Sequence, residues 1–247
     1  MNVRNYLDST YLKTAIQANI SDEENKQIVL CTIQEAIDQQ FKLVMIRPEY
    51  VALAKNLITE SNAMLKVGTV ISFPEGTNTL DEKINEAQQA IENGVDELDF
   101  VSNYQAFKNG ELDKVKNEII IGTQLGLSHH KIVKWIIEIA ALSDKEIIQF
   151  SALIKNCIMS NFSEENYANV FVKSSTGFYK TDNNLPNGAT LHGVKLMIEN
   201  ASPLSIKAAG GVRNFDEALQ MIQLGVKRIG TSAAKAICNG ENSESEY

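Results

Sequence analysis

Five ionisable residues stand inside or at the ends of apolar, β-rich runs of the chain: Asp8, Asp99, Lys134, Lys173 and Lys207. Aspartate and lysine are rarely buried unless paired, so each is an outward-pointing side chain, a structural ion pair or part of a reactive site. Taken singly, the structural readings carry equal weight; five such charges together point to chemistry. Lys173 and Lys207 fall in consecutive predicted strands. Neighbouring strands lie about 4.8 Å apart, which brings two such amines within several ångströms of each other. At about 5 Å and an effective dielectric of about 20 their repulsion is roughly 3 kcal/mol, or about two pKa units, before desolvation lowers the value further. A lysine so placed is partly neutral at physiological pH, and a neutral amine attacks a carbonyl carbon. The iminium that results withdraws electrons and lets an adjacent carbon–carbon bond break. In that scheme Lys173 is the nucleophile and Lys207 the cation that tunes it. Asp99 and Lys207 move protons, while Asp8 and Lys134 orient them or pass protons onward.

Such residues need a scaffold that points them at one place. Eight β-rich runs recur along the 247 residues: 5–8, 41–46, 65–73, 97–102, 132–139, 170–174, 204–208 and 228–231. Several are rich in Val, Ile and Phe with little strict alternation, as suits parallel strands covered on both faces. Helical segments lie between them. Capping boxes open four, at Ser21/Glu24, Thr79/Glu82, Ser143/Glu146 and, in a looser version, Asn214/Glu217. Apolar stripes follow at helical spacing: Val29, Ile33 and Ile37; Ile84, Ala87 and Ile91; Ile147, Phe150 and Ile154. Gly94 and Gly225 stand where a helix should stop. Eight alternations without a composition break predict one TIM (β/α)8 barrel over residues 1–238, with a polar, acidic, mobile tail at 239–247. A doubly wound open sheet is the alternative, because strand order cannot be read from a sequence.

In a barrel of this kind active-site residues project from the C-terminal ends of the strands. Glycine-rich turns close the last two runs: Gly210-Gly211 after Lys207, and Gly230-Thr231-Ser232, read as opening the terminal helix. Bare amides there suit an anion, and the loops after strands seven and eight are the usual phosphate position. Thr176-Gly177, just after Lys173, adds a wall.

The bulk composition narrows the partners. A formal charge of −8 argues against a nucleic-acid backbone or an anionic membrane as the main partner. Apolar residues are 44% of the chain, enough for a large core, and no run is long enough to span a bilayer. Cys31, Cys157 and Cys238 follow no metal-ligand or redox spacing and read as reduced thiols of a cytoplasmic protein. His129-His130 resemble a metal pair, but adjacent residues on a strand point to opposite faces and no third ligand is in view. His192 reads as a surface or packing residue, and Trp135, next to Lys134, as facing the helix layer. No metal or cofactor is therefore expected.

Several segments together resemble the deoxyribose-phosphate aldolase family. They are Val172-Lys173-Ser174-Ser175-Thr176-Gly177-Phe178, Ile206-Lys207-Ala208-Ala209-Gly210-Gly211-Val212-Arg213, Asp96-Glu97-Leu98-Asp99-Phe100-Val101, Phe73-Pro74-Glu75-Gly76, Gly188-Ala189-Thr190 and Arg228-Ile229-Gly230-Thr231-Ser232. They occur in the family's order from about Asp8 to Ser232. The resemblance implies a TIM barrel and reversible cleavage of 2-deoxy-D-ribose 5-phosphate to D-glyceraldehyde 3-phosphate and acetaldehyde, in deoxyribonucleoside catabolism. It implies Lys173 as the Schiff-base lysine and Asp99 and Lys207 as proton donor and acceptor. Asp8, Thr10 and Lys134 resemble the supporting relay, and Gly210, Gly211 and Ser232 the phosphate cradle. A homodimer also fits the resemblance. Some members end in a tyrosine whose tail reaches the active site; Tyr247 is either its counterpart or part of an inert tail. Departures are Met45 in place of a common cysteine, Ile139 of a frequent threonine, Ala233 of a second serine, and a longer stretch at 156–169. The alternatives are another Schiff-base sugar-phosphate aldolase, or a barrel that binds a sugar phosphate without catalysis.

Overall fold

The computed structural model describes residues 2–182 and 185–240. Its eight strands are β1 (Leu7–Thr10), β2 (Leu43–Ile46), β3 (Lys66–Ile71), β4 (Glu97–Val101), β5 (Ile132–Ile136), β6 (Val170–Lys173), β7 (Ser205–Ala209) and β8 (Arg228–Thr231). All neighbours are parallel, and β8 pairs with β1, Leu7 opposite Ile229, so the sheet closes on itself. That pairing excludes the open doubly wound alternative. The expected first strand, 5–8, lies two residues too early: Val3–Tyr6 forms a 3-10 turn capped by the Asn2 side chain, and extended chain begins at Leu7.

The helices start where their caps require. At Ser21/Glu24, Thr79/Glu82 and Ser143/Glu146 the hydroxyl accepts from the glutamate amide while the carboxylate accepts from the cap amide. Asn214 accepts from Glu217 N, but the Glu217 carboxylate accepts from Arg213 N, one residue before the cap. Thr14/Gln17 forms a further box that the pattern reading passed over. On the helix Leu80–Glu92 the buried row is Lys83, Ala87 and Ala90, with Ile84 and Ile91 only partly buried. That row turns the face by one residue from the expected stripe, because Lys83 reaches inward to an ion pair with Glu118 at 2.8 Å.

Alternation along the strands sorts side chains into two sets. Outward residues such as Val44, Leu98, Trp135, Val172 and Ile206 join the large core beneath the helices. Trp135 stacks on Phe100 at 4.8 Å and donates Nε1–H to Thr123 Oγ1 at 2.9 Å, in the helix Leu112–Ser128. The barrel interior is divided. One side is apolar, with Leu12, Leu43, Met45 and Val70 packed under Phe73 and Phe178. Met45 fits because Gly68 faces it: a Cβ on Gly68 would stand 2.5 Å from Met45 Cε. The other side is charged.

Two local expectations are corrected. His129 and His130 lie between the helix Leu112–Ser128 and β5, with His130 at φ 57, and not on a strand, so strand alternation says nothing about them. The terminal helix runs Ala234–Asn239 and does not open at Gly230; Gly230 and Thr231 still belong to β8. Tyr247 and nearly all of the expected tail lie outside the described residues. Among the described residues no helix is long and apolar enough to cross a membrane.

Candidate active site

β1, β4, β5, β7 and β8 place six charged side chains on the inner wall in a closed circuit of alternating sign. Lys134 Nζ lies 2.6 Å from both Glu97 and Asp99 Oδ1. Lys207 Nζ bridges Asp99 Oδ2 at 2.9 Å and Asp8 Oδ2 at 2.6 Å. Arg228 completes the circuit, with Nε 2.8 Å from Asp8 Oδ1 and one terminal nitrogen 2.9 Å from Glu97. β6 adds a seventh member: Lys173 Nζ sits 2.8 Å from Asp99 Oδ2, the oxygen that Lys207 also holds. Lys173 and Lys207 are direct register partners and so share one face of the wall. All seven are buried, Lys173 at 2% exposure and Asp8, Asp99, Lys134 and Lys207 at 0%.

Counting each as ionised, the cluster holds four cations and three carboxylates. The circuit alone is neutral, and Lys173 is the surplus charge. Burial accordingly pushes its amine down to about 8; Asp99 opposes the shift and Lys207 assists it. Desolvation, not the neighbouring ammonium, is the leading cause, which corrects the order of effects expected from the lysine pair alone. Lys134 behaves oppositely: burial would lower it, but Asp99 and Glu97 hold it above the usual lysine range. Asp99 resists the upward push of burial because Lys134, Lys173 and Lys207 hold it well below the usual carboxylate range. Asp8 is lowered against the same push by Arg228 and Lys207.

The structure therefore brings together Asp8, Asp99, Lys134, Lys173 and Lys207. Thr10 stands apart, its hydroxyl donating to the Asp8 carbonyl at 2.8 Å. Glu97 and Arg228 were missed, since they begin their strands and attention to strand ends passes over them. The signal was present: a spacing of two puts Glu97 on the face of Asp99, and Arg228 on the face of Gly230.

Above the amines, the segment after β6 folds over the end of β7. Thr176 Oγ1 donates to the Glu138 carboxylate and accepts from Phe178 N at 3.0 Å. Gly177, Gly188 and Gly210 meet there. A Cβ on Gly188 would lie 2.4–2.5 Å from Gly210 backbone atoms, and Ala189 N donates to Gly210 O at 2.9 Å. This contact walls a cavity of about 1070 Å³ lined by Gly177, Lys180, Asn187, Gly211 and Arg213, among others. Gly211 is in the left-handed region at φ 81, as its turn requires. Lys180 and Arg213 are exposed cations on that wall that the glycine pattern alone did not indicate. Gly230 lies lower, inside the barrel: a Cβ there would be 3.1 Å from Lys207 Cε. Ser232 is exposed just past β8. Of the departures, Ile139 packs toward Gly193, and the Ala233 amide donates to Thr231 Oγ1 at 2.9 Å.

A dry amine of lowered basicity, tied to a carboxylate inside an eight-stranded barrel, defines the site of an enzyme that works through lysine. Known proteins agree. No protein-family model matches the chain. The deoxyribose-phosphate aldolase of Thermococcus kodakarensis is 36% identical, covering 92% of this chain and 95% of that one. That of Lactococcus lactis subsp. lactis is 38% identical over the full length of both. The solved tetrameric deoxyribose phosphate aldolase from Aeropyrum pernix superposes with a TM-score of 0.77 at 27% identity, over 96% of this chain and 89% of that one. The chain belongs to the deoxyribose-phosphate aldolase family, whose members are class I aldolases acting through a Schiff base.

Proposed function

We propose that this protein cleaves 2-deoxy-D-ribose 5-phosphate reversibly to D-glyceraldehyde 3-phosphate and acetaldehyde, with Lys173 as the Schiff-base residue. The observation that carries the assignment is the surplus cation: Lys173 stands outside the neutral circuit, buried and 2.8 Å from Asp99, and burial pushes its amine down to about 8. Its neutral form adds to the C1 aldehyde of the open-chain sugar, and loss of water leaves an iminium. Removal of the C3 hydroxyl proton breaks the C2–C3 bond, and the electron pair moves into the iminium. The enamine so formed takes a proton at C2 and is hydrolysed to acetaldehyde. One proton is lifted and one returned, so a shared store suffices. Lys207, held between Asp8 and Asp99, is placed to be that store. Asp99 serves as its anionic hub: a carboxylate held this low accepts a proton only as an ammonium beside it gives one up.

The sugar phosphate lies toward the cavity walled by Gly177 and Gly211. Bare amides there and the cations Lys180 and Arg213 suit a dianion. Thr176 shapes that wall through its bonds to Glu138 and Phe178 rather than by offering a free hydroxyl. Gly210 holds the wall in place, Gly230 leaves room for Lys207, and Ser232 stands at the rim.

Incubation with 2-deoxyribose 5-phosphate and borohydride tests the reading. Irreversible mass addition on Lys173, lost in Lys173→Leu, is the expected result. Labelling by other sugar phosphates alone would assign a different aldol substrate, and no labelling by any would leave a binding protein.

A further inference from the structure

Glu138 takes no part in the charge circuit, yet the chain goes to some length to place it. β5 ends at Ile136, and the next residues continue to bond to the end of β6: Ile137 N donates to the Lys173 carbonyl at 3.0 Å and Ile139 N to the Ser174 carbonyl at 2.9 Å. Between them Glu138 takes a left-handed backbone at φ 58 and ψ 69. A residue with a Cβ adopts that conformation only where the surrounding bonds offset its strain. The side chain is 1% exposed and accepts from both Thr176 N, at 3.1 Å, and Thr176 Oγ1. It therefore fastens the segment that follows Lys173 from the adjacent strand. Glu138 also lines, with Thr176, Tyr104 and Phe178, a cavity of about 330 Å³ at the barrel mouth.

The charge count gives the carboxyl a second task. With Lys173 neutral the cluster is balanced; an iminium on Lys173 restores one uncompensated cation in a dry interior. Outside the circuit, Glu138 is a buried carboxyl tied to the end of the Lys173 strand, since its neighbour Ile137 N donates to the Lys173 carbonyl, and the Lys173 charge favours its ionised form. We propose that Glu138 is a positioning residue of the reaction, which fixes the Thr176 segment over Lys173 and supplies the negative charge that balances the iminium. This rests on the Schiff-base reading above. The groups that face it are Lys173 on β6, Tyr104 on the helix Tyr104–Lys108, Glu75 in the turn after β3, and Tyr179 and Lys180 beyond β6. Burial pushes the Glu138 carboxyl up to about 7, with Thr176 and Lys173 opposing.

Glu138→Gln separates the two tasks, because an amide oxygen can still accept from Thr176 while the charge is gone. Steady-state kinetics and borohydride trapping are measured from pH 5.5 to 9.5 for the unaltered protein, Glu138→Gln and Glu138→Ala. Loss of an anion near Lys173 makes its ammonium less stable, so the acid limb of kcat/KM in Glu138→Gln moves down by about one pH unit, while kcat falls about tenfold and KM stays within about twofold. Glu138→Ala also frees the Thr176 segment and raises KM by about tenfold. A Glu138→Gln protein with the parent's limb and kcat would overturn the proposal, and so would a Glu138→Ala protein with the parent's KM. Failure of the unaltered protein to label at Lys173 would instead remove the Schiff-base reading and this proposal with it. Should Glu138→Ala not fold, the limb position in Glu138→Gln decides.

Discussion

Lys173 and Lys207 converge on a single oxygen, Asp99 Oδ2, at 2.8 and 2.9 Å. One carboxylate oxygen thus holds both the amine proposed as the nucleophile and the ammonium proposed as the proton store. Lys207 has two carboxylate partners, Asp8 and Asp99, where Lys173 has Asp99 alone. Lys173, outside the balanced circuit, is the one whose charge is least supported.

The pH dependence follows. Only neutral Lys173 is a nucleophile, and its folded-state value is lowered to about 8, by burial first and by Lys207 in addition. The kcat/KM profile should therefore rise with pH and bend near pH 8, with activity two units lower reduced to about one part in a hundred. A profile flat from pH 6 to 9 would show that the amine is not titrating as the nucleophile.

The same shift has a thermodynamic side. A lysine whose folded value lies below its unfolded one binds fewer protons when folded. The penalty is complete below pH 8, shrinks as pH rises, and is gone above the ordinary value of 10.5. Lys173→Met should raise unfolding free energy at pH 7 by about 1–3 kcal/mol, and the gain should fade toward pH 10. Urea denaturation of both proteins at the two pH values measures it. Destabilisation at pH 7 would mean that Asp99 needs its third cation.

Gly230 gives a test confined to Lys207. A methyl group there meets Lys207 Cε at 3.1 Å and Ala209 Cβ at 3.2 Å, so the lysine stem must yield by a few tenths of an ångström. The stem is flexible, but its ammonium is fixed between two carboxylates. Gly230→Ala should therefore lower kcat by about tenfold through misplacement of the proton store and destabilise the fold by less than about 2 kcal/mol. Borohydride trapping at Lys173 should persist. An unchanged kcat would show that the position of Lys207 is not critical.

Most of the barrel was legible because buried parallel strands are written in β-branched residues, and because reciprocal caps such as Thr79/Glu82 mark helix starts locally. β1 was expected at 5–8, two residues early, because Tyr6 and Leu7 read as strand. The Asn2 side chain accepts from Arg4 N and keeps Val3–Tyr6 in a turn, a local contact that propensity does not record. The five charged site residues were visible as charges in apolar runs. Glu97 and Arg228 have the same signature at the opposite strand ends, where position argued against them. Glu138 was hidden by a left-handed backbone inside a run that reads as continuous strand. The dominance of desolvation over Lys207 depends on how dry the barrel becomes, a property of the closed fold rather than of spacing.

Arg228 joins the last strand to Asp8, 220 residues earlier, and to Glu97, 131 residues earlier. Without β8, an otherwise assembled sheet would hold Asp8 and Glu97 in a poorly hydrated interior with their guanidinium partner missing, a costly state. The circuit thus rewards completion and penalises half-built intermediates, linking the two ends of the polypeptide in one cooperative folding event. Fragments that stop short of the final strand are then poor candidates for independent folding, and the enzyme's reactive centre doubles as the latch of its own assembly.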